Sequence, residues 1–236
     1  MILKSTFFIW MSLILITMFI IFIWVFPIGG SIDLYLIQPW VSSIGTFPYK
    51  NNWYLAKLDH TYVKQIVILI YASYFFLWCG SFKFSKLKSK RWQYGYMFWV
   101  SMLCTCLIGF IKAHSAPACP WYMTHETATG FIWDFSATAG HCFPGGHAST
   151  GFALLTGYFV YRLNQQSRAW FYLVAGTLIG FGMGWAQMMR GAHFLSHNLW
   201  TMWFCLAINF LCYAVTYRYH QQFLHRKAMR ISDMLK

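Results

Sequence analysis

Three short stretches carry the residue types that phosphate chemistry needs. Lys112 to Pro120 reads KAHSAPACP, Phe143 to Ser149 reads FPGGHAS, and Arg190 to His197 reads RGAHFLSH. Lys112 and Arg190 are cationic donors, and an arginine fork matches the oxygens of a phosphate. Gly145 and Gly146, set directly before His147, permit a turn whose backbone N–H groups face an anion with a helix dipole behind them. His147, His193 and His197 add imidazoles, which attack phosphorus or pass protons near neutral pH. A phosphate ester needs both tasks done: one histidine attacks in line and becomes a phosphohistidine, a second protonates the departing alcohol, and water then releases the phosphate. A metal site is the competing chemistry. His193 and His197 stand one helical turn apart, and His141, Cys142 and His147 could complete a shell, but the glutamate of an HExxH motif is absent. The reading adopted is metal-independent, with no cofactor.

The elements that must position these residues are membrane helices. Of 236 residues 58% are hydrophobic and only 10% charged, with mean hydropathy +0.47, which excludes an ordinary soluble domain. Apolar blocks near Thr6–Pro27, Gln65–Phe82, Tyr94–Ile111, His147–Val160, Ala169–Met189 and Asn198–Val215 predict six spans in one integral domain covering residues 1–236, with a basic tail over 216–236. The first block has no small-residue cleavage site and reads as a retained helix. Between the first two blocks, Ile28 to Lys64 is too polar to span and reads as an aromatic-rich interfacial loop. Gly176, Gly180 and Gly184 strip one face of the fifth helix, so that a neighbour can approach closely.

The formal charge of +13 comes from 18 Lys and Arg against 5 Asp and Glu. A nucleic-acid reader would gather that charge on one soluble face, whereas here it lies between apolar blocks. With six spans, the cluster Lys83, Lys86, Lys88, Lys90, Arg91, the pair Arg162 and Arg168, and the tail from Arg218 to Lys236 all fall on one side, which the positive-inside rule makes cytoplasmic. Both termini are then cytoplasmic, and the three chemical clusters meet at the extracytoplasmic face of the plasma (inner) membrane. Cys79, Cys104, Cys106, Cys205 and Cys212 lie in or beside apolar blocks and read as packing residues. Cys119 and Cys142 share the outer loop, where an oxidising compartment would let them pair; the sequence leaves that open, since it does not supply their Cα separation.

Taken together, the three clusters resemble the motifs of the type 2 phosphatidic acid phosphatase superfamily. Its first motif is Lys, six residues, Arg-Pro, and here Lys112 is followed by six residues and Cys119-Pro120. The second, Pro-Ser-Gly-His, matches at Pro144, Gly146 and His147, with Gly145 in the Ser place. The third is Ser-Arg, five residues, His, three residues, Asp; His193 fits its histidine, Gln187 stands in the Arg place and His197 in the Asp place.

The resemblance implies an all-α, polytopic six-helix membrane bundle in which His193 is the nucleophile, His147 the acid and Lys112 a phosphate ligand. Arg190 matches no family ligand and is the candidate to replace the missing arginines. The family carboxylate orients the nucleophilic imidazole and stabilises its cationic form. His197 can accept a ring N–H but supplies no negative charge, and the outer-loop acids Asp134 and Glu126 are the candidates to supply it. The function expected is hydrolysis of a phosphorylated membrane lipid: a phosphatidic acid, a phosphatidylglycerol phosphate, a polyprenyl diphosphate or lipid A. Phosphotransfer to a lipid acceptor, or lipid binding or transport on a degenerate scaffold, are the alternatives.

Overall fold

The computed structural model describes residues 2–138 and 140–234. It is an all-α membrane bundle with one small hairpin. Helix α1 (Ile2–Trp24) ends before Pro27, whose fixed backbone cannot continue it. A short α2 (Ser31–Ile37) follows, and a π-helical stretch over Tyr54–Val63 runs into α3 (Lys64–Lys83). The single turn α4 (Ser85–Lys88) leads to α5 (Arg91–Ala113). Strands β1 (Thr124–Thr127) and β2 (Gly130–Trp133) pair antiparallel, with Thr124 opposite Trp133. Then come α6 (Gly146–Phe152), α7 (Thr156–Tyr161), α8 (Gln166–Met189) and α9 (Leu195–Met234), whose backbone continues as a helix through the basic tail.

Among the described residues, five helices are long and apolar enough to cross a membrane, within α1, α3, α5, α8 and α9. The fourth expected span differs. Residues 146–161 form α6, a 3-10 turn at Ala153–Leu155, and α7. Sixteen residues rise only about 24 Å as a helix, short of a hydrocarbon core of roughly 30 Å. This element is interior instead of lipid-facing: Phe152, Leu155 and Phe159 are at most 1% exposed, packed with Tyr71, Met97 and Tyr213.

Its broken turn is stabilised from outside. A 3-10 segment disturbs the regular i→i−4 ladder, and inside a membrane every displaced carbonyl needs a partner. The Tyr71 hydroxyl donates to Thr150 O at 2.7 Å, and the Ser101 hydroxyl to Ala153 O at 3.1 Å. The glycine face of α8 closes onto the same element. A Cβ at Gly176 would stand 3.0 Å from Leu155 N, and a Cβ at Gly151 would stand 2.5 Å from Gly180 N. The two backbones therefore touch where bulkier residues would hold them apart.

The segment read as an interfacial loop, Ile28 to Lys64, folds partly inward. Ile37 and Phe47 bury with Ala118, Met123, Met188 and Phe194 in a second core, separate from the bundle's. This makes a cap over one end of the bundle, where α5 and α8 finish and α6 and α9 begin.

Candidate active site

The first and third clusters are the ends of helices. Lys112 occupies the last turn of α5, where a cation favours the helix dipole. His193 sits in the turn between α8 and α9, which Gly191 opens with φ +78°, and His197 lies in the first turns of α9. The second cluster begins α6, with Gly145 as its extended N-cap.

These three ends meet. The stem of Lys112 crosses Gly146, where a Cβ would be 3.3 Å from Lys112 Cδ. The Gly145 N–H donates to His197 O at 3.3 Å, and the Thr201 hydroxyl donates to Gly145 O at 3.2 Å. His193 and His197 face each other through their Nδ1 atoms at 3.3 Å, and they are 2% and 0% exposed. Burial first, then the charges of Lys112, His197 and His147, hold His193 well below the ordinary imidazole range, while the Cys142 backbone pulls the other way. The charged form of His193 is therefore disfavoured, beside a lysine and a second histidine.

The structure thus brings together Lys112, Gly145, Gly146, His147, His193 and His197. Because Gly145 N–H is already taken, N–H groups for an anion begin at Gly146. Arg190, at the end of α8, bonds elsewhere: its Nε donates to Lys50 O at 2.9 Å and its Nη1 to Gln187 Oε1 at 3.0 Å. The cation that matches no motif position is therefore held against the residue that stands in the Arg place. Gln187 is 1% exposed, and its Nε2 has no hydrogen-bond partner among the described residues.

The acids behave differently from expectation. Asp134 accepts from Ser136 N–H and Ser136 hydroxyl at 2.8 and 2.5 Å and pairs with His125 at 3.3 Å, bonds that hold its carboxyl below the usual range. Glu126 is exposed on β1. The buried carboxylate near the site is Asp33, which accepts from Ser196 N–H at 2.9 Å, from Ser196 hydroxyl at 2.5 Å, and from Gly29 N–H at 2.9 Å. Sequence reasoning passed it over because an isolated Asp in a polar segment carries no spacing signal.

Cys119 and Cys142 are bonded, with Cα atoms 5.0 Å apart. The pairing that the sequence left open is formed, and it removes the Cys142 sulfur from any metal shell. His141 is turned away as well, its Nδ1 2.6 Å from Ser115 O.

Asn198 is a further residue the motifs did not mark. It is 2% exposed and lies between two glycines: a Cβ at Gly145 would be 2.6 Å from Asn198 Oδ1, and one at Gly184 would be 2.5 Å from Asn198 Cγ. Gly145 stands where the family pattern has Ser, and the Asn198 amide fills the space a side chain there would take.

Two cavities lie in this part of the molecule, and the first reaches the site at His197. One of about 240 Å³ is walled by Gly29, Ala116, Ala118, Phe135, Phe194 and His197. The other, about 390 Å³, lies in the cap between Lys50, Asn51, Trp121 and Glu126.

The comparisons with known proteins agree with this geometry in one respect and add nothing in two. No curated protein matches the chain, and no solved structure does. The family model described as the PAP2 superfamily matches residues 91–221, more than half of the sequence, from the start of α5 into α9, and so covers all three clusters. With the lysine, the glycine turn and the histidine pair drawn to one end of a membrane bundle in the order that family places them, the chain belongs to the PAP2 superfamily, the type 2 phosphatidic acid phosphatases and their relatives.

Proposed function

We propose that the protein hydrolyses a phosphorylated membrane lipid through a phosphohistidine on His193. The observation that carries this reading is the His193–His197 pair in contact through Nδ1, buried beside Lys112 and His147. Two neutral imidazoles in that contact must share one proton. When His193 Nδ1–H donates to His197, the Nε2 of His193 keeps its lone pair, which is the tautomer a nucleophile needs. His197 thus performs the orienting half of a carboxylate's work without its charge.

In the proposed reaction Nε2 attacks phosphorus while the bond from phosphorus to the lipid oxygen breaks. His147 gives its proton to that leaving oxygen. The phosphohistidine is then cleaved by water, whose proton returns to His147, and phosphate leaves. Lys112 and the N–H groups at the start of α6 hold the nonbridging oxygens, where donors set in advance at developing charge lower the barrier most. Gln187 Nε2 adds a neutral donor, and Arg190, bonded to the same side chain, places a full charge behind it.

Membership of a family of phosphatases supports the reaction class, and the five apolar helices support a substrate met at a bilayer. The charge distribution of the loops supports both termini cytoplasmic and the site on the extracytoplasmic side, with the buried α6–α7 element counted as a sixth crossing inside the five lipid-facing spans.

The test is phosphate release from a panel of lipid phosphates by the purified protein in detergent with a chelator present. Wild type is expected to release phosphate and His193→Ala or His147→Ala to lose at least ~100-fold, in line with general acid and nucleophile effects. Equal release by all three would overturn the mechanism. Loss of wild-type activity on chelation alone would assign the chemistry to a metal.

A further inference from the structure

Asp33 is the one buried acid among the described residues, and nothing in the reaction above uses it. Burying a carboxylate is unfavourable unless hydrogen bonds replace its water. Here burial pushes the Asp33 carboxyl up, and its bonds to Ser196 and Gly29 pull it down. A chain with 5 Asp and Glu in all has placed one of them inside the protein, 163 residues from its partner in sequence.

The placement is specific. Ser196 is the residue between Leu195, where α9 starts, and His197. The first N–H groups of a helix have no partner within it, and a carboxylate there is favoured by the dipole as well. Asp33 reaches across from α2 to serve this end with Oδ1 on Ser196 N–H, and Oδ2 on both Ser196 hydroxyl and Gly29 N–H. Gly29 itself is in the left-handed region at φ +69°, a turn that the same carboxylate closes. Gly29 and His197 both line the 240 Å³ cavity, and Asp33 bonds to Gly29 and to Ser196, the neighbour of His197.

We propose that Asp33 is a positioning residue: by tying the start of α9 to the Gly29 turn it holds His197 against His193. The claim rests on the phosphohistidine reading for its catalytic half alone. It explains how a site without an acid at position 197 keeps its histidine pair in register, since the anchoring carboxylate acts one residue earlier and from another element. Asp33 acts through Ser196 and Gly29, its hydrogen-bond partners, and not on the reacting atoms.

The experiment uses the full-length protein in detergent with Asp33→Ala, Asp33→Asn, Ser196→Ala and the Asp33→Ala/Ser196→Ala double variant. Two readouts are taken: the rate of phosphoryl-enzyme formation per competent site, and amide hydrogen exchange over residues 190–200. Asp33→Ala is expected to slow formation about tenfold, as small misplacements of catalytic groups do, with KM within about twofold, and to speed exchange at the start of α9. Asp33→Asn keeps one oxygen for Ser196 N–H and should recover part of the rate. The double variant should be no slower than Asp33→Ala, because both substitutions remove one interaction. An unchanged rate per competent site in Asp33→Ala would make the residue merely structural, and unchanged exchange would overturn the anchoring itself. If wild type forms no His193-dependent phosphoryl-enzyme, the functional reading fails, while the exchange measurement still decides the anchoring.

Discussion

At the scale of single residues, the departures from the family pattern come with compensations. Gly145 is bare because Asn198 fills its space, with Oδ1 2.6 Å from where a Cβ would stand. Gly145→Ser alone should therefore overpack a tight contact and lower stability by about 1–3 kcal/mol. Adding Asn198→Ala should recover most of that, a coupling that thermal unfolding of the four members of the cycle measures. The burial of His193 sets a second expectation. Its folded-state affinity for protons is depressed, so below about pH 6.5 the unfolded chain binds a proton that the folded protein refuses, and stability falls with pH. Melting temperatures from pH 7.5 down to 5.5 should drop more steeply in wild type than in His193→Gln. Asp33, shifted upward, contributes with the opposite sign, so variant and wild type must be compared at each pH.

At the scale of elements, the site is a meeting of helix ends, and what holds the ends together is distributed. The Gly145 turn is bonded to α9 through His197 O and the Thr201 hydroxyl. The stretch before it is tied to the end of the first cluster by the Cys119–Cys142 bond, and the Cys142 backbone bears on His193. Cys119 stands where the family pattern has an arginine, so this chain has a covalent tie at a position the pattern gives to a cation. Cys142→Ser, or reduction in detergent, should lower turnover by about tenfold, a loss expected when catalytic groups shift by less than an ångström. The free cysteines Cys104 and Cys205 are buried in the bundle, and their replacement by alanine should leave turnover unchanged.

At the scale of the whole molecule, much was legible in the sequence and the gaps have physical causes. Spans α1, α3, α5, α8 and α9 were visible because lipid demands long apolar helices. The convergence of Lys112, His147 and His193 was visible because each sits at a helix end that alternation places on one side. The fourth helix was less so: hydropathy cannot distinguish a lipid-facing span from one buried among its neighbours, and its 3-10 break depends on hydroxyls of Tyr71 and Ser101 from distant elements. The cap over the site was missed since its core is assembled from scattered residues such as Ile37, Phe47 and Phe194. Asp33 and Asn198 were invisible for the same reason, their roles being set by partners far along the chain. A topology experiment belongs at this scale: a fluorescent protein fused to the C-terminus should fluoresce and a periplasmic-type alkaline phosphatase fusion there should be inactive. The reverse pattern would place the tail, and with it the site, on the wrong side.

The central claim is a covalent bond between His193 and phosphorus. The most direct measurement is rapid quenching of wild type with a phosphate-labelled lipid substrate in alkali, which preserves phosphohistidine, followed by peptide mapping of the label. Label on a peptide containing His193, absent from His193→Ala and accumulating in His147→Ala when the leaving alcohol needs no acid, is the predicted result. Phosphate release by an enzyme that never carries label on His193 would contradict it.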